Sequence, residues 1–231
     1  MNRRPDKSKS RHTRLDFHSH SYLSDGSTSA TVMWYEAERL EHRALALTDH
    51  LSLEDPKPML DRLHREAKAW DDSPFEPIVG VELTYIPPRR IATVARAARR
   101  AGAEIVIVHG ETTAENVAPG TNHAALESGL IDVLAHPGLL DPQDASLAKA
   151  NSVVLEISAR RGHSLCNGHV VRLALEAGAD LVVDSDAHDP SQLIRMDAAR
   201  RIALGAGLPE TQLDRVLSHT PEQLVKRIRG A

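Results

Sequence analysis

Seven short apolar runs, each ending on a side chain able to bind metal, constrain this chain more than any other feature. They read LDFHSH (to His20), LALTDH (to His50), IVGVE (to Glu82), EIVIVH (to His109), DVLAH (to His136), VVLE (to Glu156) and DLVVDSDAH (through Asp186 to His188). Runs of Val, Ile and Leu separated by helix-length sequence are the pattern of alternating β/α units with a parallel sheet. In a barrel of such units the carboxyl ends of the strands open on one mouth. Six histidines and three carboxylates would meet there: His18, His20, His50, His109, His136 and His188, with Asp25, Glu82 and Asp186. One histidine at a strand end is ordinarily a satisfied polar residue. Six at successive strand ends call for metal.

Strand periodicity sharpens this expectation. Alternation in LDFHSH places Asp16, His18 and His20 on one face, and His-x-His is how a strand aims two imidazoles at one ion. The same alternation groups Asp184, Asp186 and His188, provided the last strand stays extended. Asp16 and Asp184, one step below the mouth, are then candidates either to accept an N–H from a ligand imidazole or to satisfy polar groups in the barrel interior. Between the runs, helices are expected after a Thr28 or Ser29 cap through Met33, Ala37 and Leu40, and over 57–70, 91–101, 122–129, 143–150, 163–177 and 190–204. Helical sequence also follows Pro209 and Pro221. These elements predict an α/β fold, a distorted seven-stranded TIM-like barrel with its site at the carboxyl ends of the strands.

Size and composition agree. The 231 residues suffice for one barrel and not for two ordinary domains, so residues 14–231, C-terminal helices included, are expected to form a single domain. The basic, polar residues 1–13 read as a disordered tail. A net charge of −4 and 3% aromatic content argue against a nucleic-acid surface. The lone Cys166 cannot form an internal disulfide, which points to a reducing cytoplasm. No stretch is long enough to cross a bilayer.

The motifs HSHSYLSDG, TDH, GVE, VHG, AHPG and SDAH occur in the order found in the PHP (polymerase and histidinol phosphatase) family of metal-dependent phosphoesterases, and the chain resembles that family from about Leu15 to His188. GETTAENVAPGTN is similar to its histidinol-phosphatase-like branch. The resemblance implies three divalent ions, zinc, manganese or iron. His18, His20, Glu82 and Asp186 would hold the first; a bridging Glu82 with His109 and His136 the second; Asp25, His50 and His188 the third. Among these, His18, His20, Glu82, Asp186 and His188 would be the catalytic centre. Three carboxylates give the empty set a charge of −3, and three divalent ions would leave +3, a cationic pocket for a phosphate ester in an acidic protein.

The expected reaction is hydrolysis of a small phosphate monoester, histidinol phosphate or a nucleotide or sugar-like phosphate, by a metal-activated hydroxide. A phosphodiesterase or nuclease using the same site is the alternative, and a non-catalytic scaffold would require lost ligands. Arg160 is a candidate substrate contact, and Glu156 a candidate substrate contact or partner of a ligand. His123, His163 and His169 are candidate proton donors to the leaving group. His12, His42, His64 and His219 read as surface residues, Arg11 and Arg14 as part of the basic tail, and Cys166 as inert.

Overall fold

The computed structural model describes residues 14–230; the tail expected to be disordered lies outside the described residues. Its strands are β1 (Arg14–Asp16), β2 (His42–Leu47), β3 (His50–Leu51), β4 (Glu76–Leu83), β5 (Ile105–His109), β6 (Val133–Ala135), β7 (Val154–Ser158) and β8 (Leu181–Asp184). All pairings are parallel, in the order β1-β2-β4-β5-β6-β7-β8. The two-residue β3 follows β2 and pairs with the same neighbour, β4, so it is the upper end of the second stave. The result is a nearly closed seven-stranded barrel.

Alternation along the strands builds two apolar layers. Ala44, Ala46, Ile78, Ile105, Ile107 and Val182 pack inside the barrel with Leu224 and Val225, which come from the last helix. Leu45, Leu47, Val79, Val106 and Val108 face outward against the helices, where Trp34 and Leu63 meet them. The inner face of β5 therefore runs Ile105, Ile107, His109, and that of β4 runs Ile78, Gly80, Glu82. Apolar residues fill the barrel below, and the polar ends emerge above.

The seam between β8 and β1 is closed mainly by side chains. Only one bridge, Ser19 with Ala187, joins the two sides as a ladder would. Below it, Phe17 N donates to Asp184 Oδ1 at 2.8 Å and Ser185 N donates to Asp16 Oδ1 at 3.1 Å. Asp16 and Asp184 thus satisfy backbone N–H groups that the splayed strands leave unpaired, so of the two roles expected from their position they take that of partners to polar groups in the barrel interior and not that of imidazole acceptors. Arg14 belongs to this seam and not to the tail: it is 1% exposed, and its guanidinium donates to Val183 O (2.5 Å), Asp16 Oδ2 (3.1 Å) and Leu15 O.

The helices are α1 (Ala30–Arg39), α2 (Lys57–Ala67), α3 (Ile91–Arg100), α4 (Thr121–Glu127), α5 (Pro142–Ala150), α6 (Asn167–Ala177), α7 (Met196–Gly205) and α8 (Thr220–Arg229). Ser29 caps α1, its hydroxyl accepting from Val32 N. The helix expected over 190–204 starts six residues late. Asp189 closes a tight turn by accepting from Ser191 N, and only a 3-10 turn at Pro190–Gln192 precedes α7. Among the described residues no helix is long and apolar enough to cross a membrane.

Candidate metal centre

Each expected ligand reaches the mouth from the end of a stave. Past Asp16 the chain drops His18 and His20 into the interior, both fully buried, with ring centroids 5.1 Å apart. Glu82 is the penultimate residue of β4 and His109 the last of β5. His136 and Asp186 stand where β6 and β8 have ended, at φ of 27° and 49°. The last strand therefore does not stay extended to His188. Non-glycine residues in this region cost about 1–3 kcal/mol each and persist only where the surroundings hold them.

Two buried carboxylates organise the cluster. Glu82 Oε1 lies 3.2 Å from His109 Nδ1 and 3.5 Å from His136 Nε2. Its Oε2 lies 2.8 Å from His50 Nδ1, 3.4 Å from His18 Nε2 and 3.6 Å from His20 Nε2. Asp186 Oδ1 is 3.4 Å from His20 Nε2, 3.6 Å from His18 Nε2 and 3.4 Å from His188 Nδ1, while Oδ2 is 3.7 Å from His136 Nε2. At the outer edge Asp25 Oδ1 sits 3.1 Å from His188 Nε2 and 3.5 Å from His50 Nε2. Donors bonded at about 2.1 Å to one tetrahedral ion stand about 3.4 Å apart, so these spacings are those of atoms facing a common cation.

Orphaned atoms give an independent test of that fit. Both oxygens of Glu82, both ring nitrogens of His20 and of His109, His18 Nε2 and His136 Nδ1 are buried without a hydrogen-bond partner. Buried polar atoms are ordinarily satisfied, and these eight belong to one cluster at the mouth, while atoms of Arg14, Arg43, Asp184 and Thr220 lack a partner elsewhere. Ligand atoms of His20, Asp25, His50 and His188 form one group within bonding range of a single ion; His18, His20 and Asp186 form a second, and His18, Glu82 and His136 a third. A fourth, His136, His163 and Asp186, adds a histidine that was expected only as a proton donor.

Electrostatics favour ligation as well. Burial lowers His20 to a pKa of about 4 and His136 to about 3, keeping both rings neutral with a lone pair to give. Burial works against ionisation of Glu82, but His18, His50 and His109 hold it well below the usual carboxylate range; Asp186 is lowered by His18, His20 and His136 against the same opposition. Burial also opposes a charge on His50, yet Glu82 and Asp25 lift it to about 10, and Asp186, Glu156 and Glu82 likewise raise His18. In the metal-free protein these two rings carry the protons that a cation would displace.

The neighbours that aim the ligands are Glu156 and Thr84. Glu156, fully buried on β7, accepts from His18 Nδ1 at 2.6 Å and so turns Nε2 toward Glu82 and Asp186. It is absent from the cavity wall, so of the two roles expected for it, partner of a ligand histidine fits better than substrate contact. Thr84 Oγ1 meets His50 Nδ1 at 2.7 Å. Arg160 does line the cavity, a space of about 390 Å³. Its Nη1 is 2.6 Å from His188 Nδ1 and its Nε 3.7 Å from Asp186 Oδ2.

Sequence reasoning missed Thr84 and Tyr85 on the cavity wall, and it also missed Glu115. From the loop after β5 its two oxygens reach His163 Nε2 (3.4 Å) and His109 Nε2 (3.5 Å). No periodicity marks a loop residue; the only signal was its place inside GETTAENVAPGTN. His163 stacks on His136 with centroids 4.1 Å apart. The other two candidate proton donors face elsewhere: His123 pairs with Asp144 at 2.7 Å, and His169 bonds Leu140 O at 2.8 Å. His42, expected at the surface, is fully buried at the start of β2.

Against known proteins, the PHP domain model matches residues 16–190. An uncharacterized protein of Methanocaldococcus jannaschii is 42% identical over 219 residues, spanning 93% of this chain and 100% of its own length. A ribonuclease P protein component 3 of Methanosarcina barkeri is 26% identical, over 93% of this chain and 89% of the relative. Among solved structures, a histidinol phosphate phosphatase from Lactococcus lactis, complexed with zinc, histidinol and phosphate, superposes with a TM-score of 0.60 at 15% identity, covering 85% of this chain and 95% of that one. With the ordered strand-end motifs, the barrel and a family match over most of its length, the chain belongs to the PHP domain family of phosphoesterases.

Proposed function

We propose that this protein is a metal-dependent phosphatase acting on a small phosphate monoester. The observation that carries the reading is the convergence of unpartnered, buried imidazole and carboxylate atoms around Glu82 and Asp186, under a cavity that Arg160 overlooks. His18, His20, Glu82 and Asp186 would hold one ion, Glu82, His109 and His136 a second, and Asp25, His50 and His188 a third, with zinc, manganese or iron suited to so many imidazoles. Such ions supply Lewis acidity and bring a bound water's pKa near neutrality.

The chain's own groups do the rest. Glu156 fixes the tautomer and direction of His18 through Nδ1. Arg160 presents its guanidinium to the phosphate oxygens and, through His188 Nδ1, to the outer ligand pair. His163, held by Thr112 Oγ1 at 2.9 Å and facing Glu115, is the group positioned to carry a proton to the departing alkoxide. The bound zinc and phosphate named for the Lactococcus lactis structure support the same class of reaction.

The test is phosphate release by protein loaded with zinc or manganese, across histidinol phosphate, nucleoside monophosphates, sugar phosphates and a diester control. Turnover of a monoester is expected, falling by at least about a hundredfold in His18→Ala and in Asp186→Ala. Activity confined to the diester, or kept in full by either variant, would overturn the proposal.

A further inference from the structure

A second cavity, of about 380 Å³, adjoins the metal pocket and shares two walls with it, Tyr85 and His109. It lies between the segment joining β4 to α3 and the loop after β5. Its floor is apolar and buried, formed by Leu83, Ile86, Ile91 and Val108. Pro87 and Pro88 stiffen one side, and Val117 and Ala118 face them. At the junction stands Tyr85, 66% exposed and at a φ of 55°, its ring 6.2 Å from that of His109. A bulky residue is rarely kept in the left-handed region, and here that conformation stands an aromatic face between the two cavities.

The charge on the rim is Arg89. It is exposed and makes no hydrogen bond or ion pair among the described residues. Glu115 is turned to His109 and His163 and lines the metal pocket only.

We infer that this cavity receives the alcohol portion of the phosphate ester, and that this portion carries a flat apolar ring with an anionic group, such as a carboxylate, facing Arg89. The inference rests on the monoesterase reading above. Seating the phosphoryl group between Arg160 and the ligand cluster, both in the metal pocket, leaves the Tyr85 and His109 junction as the way for the rest of the ester into this apolar slot. An apolar slot with one directed charge is how small-molecule sites set specificity. Arg89 also disfavours a cationic alcohol, including the amine of histidinol.

Three aryl esters that differ at the para position test it: phenyl phosphate, 4-carboxyphenyl phosphate and 4-(aminomethyl)phenyl phosphate. In the zinc-loaded protein kcat/KM is expected to fall in the order carboxylate, neutral, amine, with the carboxylate favoured over the neutral ester about fivefold, as for one exposed charge pair. Arg89→Glu is expected to invert the order. A ratio of carboxylate to amine that is the same in both proteins overturns the inference and leaves the monoesterase reading standing. Binding of 4-hydroxybenzoate to metal-free protein, followed by NMR shifts of the Tyr85 ring, gives a readout independent of turnover. If no monoester is hydrolysed but binding is seen and is lost in Arg89→Glu, the site stands and the reaction class falls. Absence of binding to the unmodified protein, together with an order of esters indifferent to Arg89, sinks the site.

Discussion

Glu156 and His18 show how a single buried contact governs the centre. A carboxylate can only accept when ionised, so the 2.6 Å contact puts the proton on His18 Nδ1 and leaves Nε2, which has no hydrogen-bond partner, as the donor atom. Glu156→Gln keeps the volume but can present its amide N–H in place of the acceptor. Zinc affinity is expected to fall about 10- to 100-fold, as for other residues that orient a ligand histidine. Competition with a chromophoric chelator measures this directly, and affinity within twofold of the parent would reduce Glu156 to core packing. The candidate ligands that gather at the mouth were legible in the sequence because strand ends announce themselves. Their partners were legible only as one alternative among others. Glu156 ends an apolar run like the others, and only the placement of its oxygen against Nδ1 separates an orienting group from a ligand or a substrate contact.

Turns, more than strands, decide where ligands end up. Gly138 follows His136 by two residues, has a φ of 65°, and a Cβ there would fall 1.8 Å from the carbonyl oxygen of Glu111. Gly138→Ala therefore adds a left-handed penalty to a backbone collision, at least about 2 kcal/mol together. A drop of roughly 4–8 °C in melting temperature is expected, with loss of activity as His136 shifts. Gly205→Ala, at the end of α7 with open space around it, is the control and should not lower the melting temperature. At the other end of the staves, burial lowers His42 to a pKa of about 4, with Arg14 assisting and Asp16 opposing. The unfolded chain takes up its proton near pH 6.5 and the folded one does not, so His42 removes stability as pH falls from about 6.5 toward 4, by up to about 3 kcal/mol. Urea melts at pH 7 and pH 4.5 on the parent and on His42→Gln isolate this component; equal losses in both proteins would refute it. Alternation made the strands readable from residue types alone. The left-handed turn at Asp186 and the seam joining Phe17 to Asp184, 167 positions apart, were not readable, because each answers to a neighbour that only the closed barrel supplies.

For the molecule as a whole, the proposed centre would tie one end of the barrel together, with candidate ligands from every stave but β7 and with β7 contributing Glu156. Without cations, Asp25, Glu82 and Asp186 crowd negative charge at the mouth, so bound metal stabilises the folded state by mass action. At a free concentration about 1,000-fold above Kd, one ion contributes about 4 kcal/mol, or roughly 8–16 °C in a domain of this size. Chelation is therefore expected to lower the melting temperature by at least that much, and an unchanged value after verified metal removal would count against a shared site. The size of the drop should also depend on pH in a fixed direction. In the metal-free protein His50 has a pKa of about 10, raised above its unfolded value, so its pairing with Glu82 and Asp25 stabilises fully below about pH 6.5 and is progressively lost as pH rises toward 10. Protons thus substitute in part for cations at pH 6, and they also compete with metal for the same ring. Both effects make the gap between loaded and chelated protein wider at pH 8 than at pH 6. Differential scanning calorimetry of the two forms at those pH values measures the gap; one that narrows as pH rises would mean that His50 is not among the groups the metal displaces.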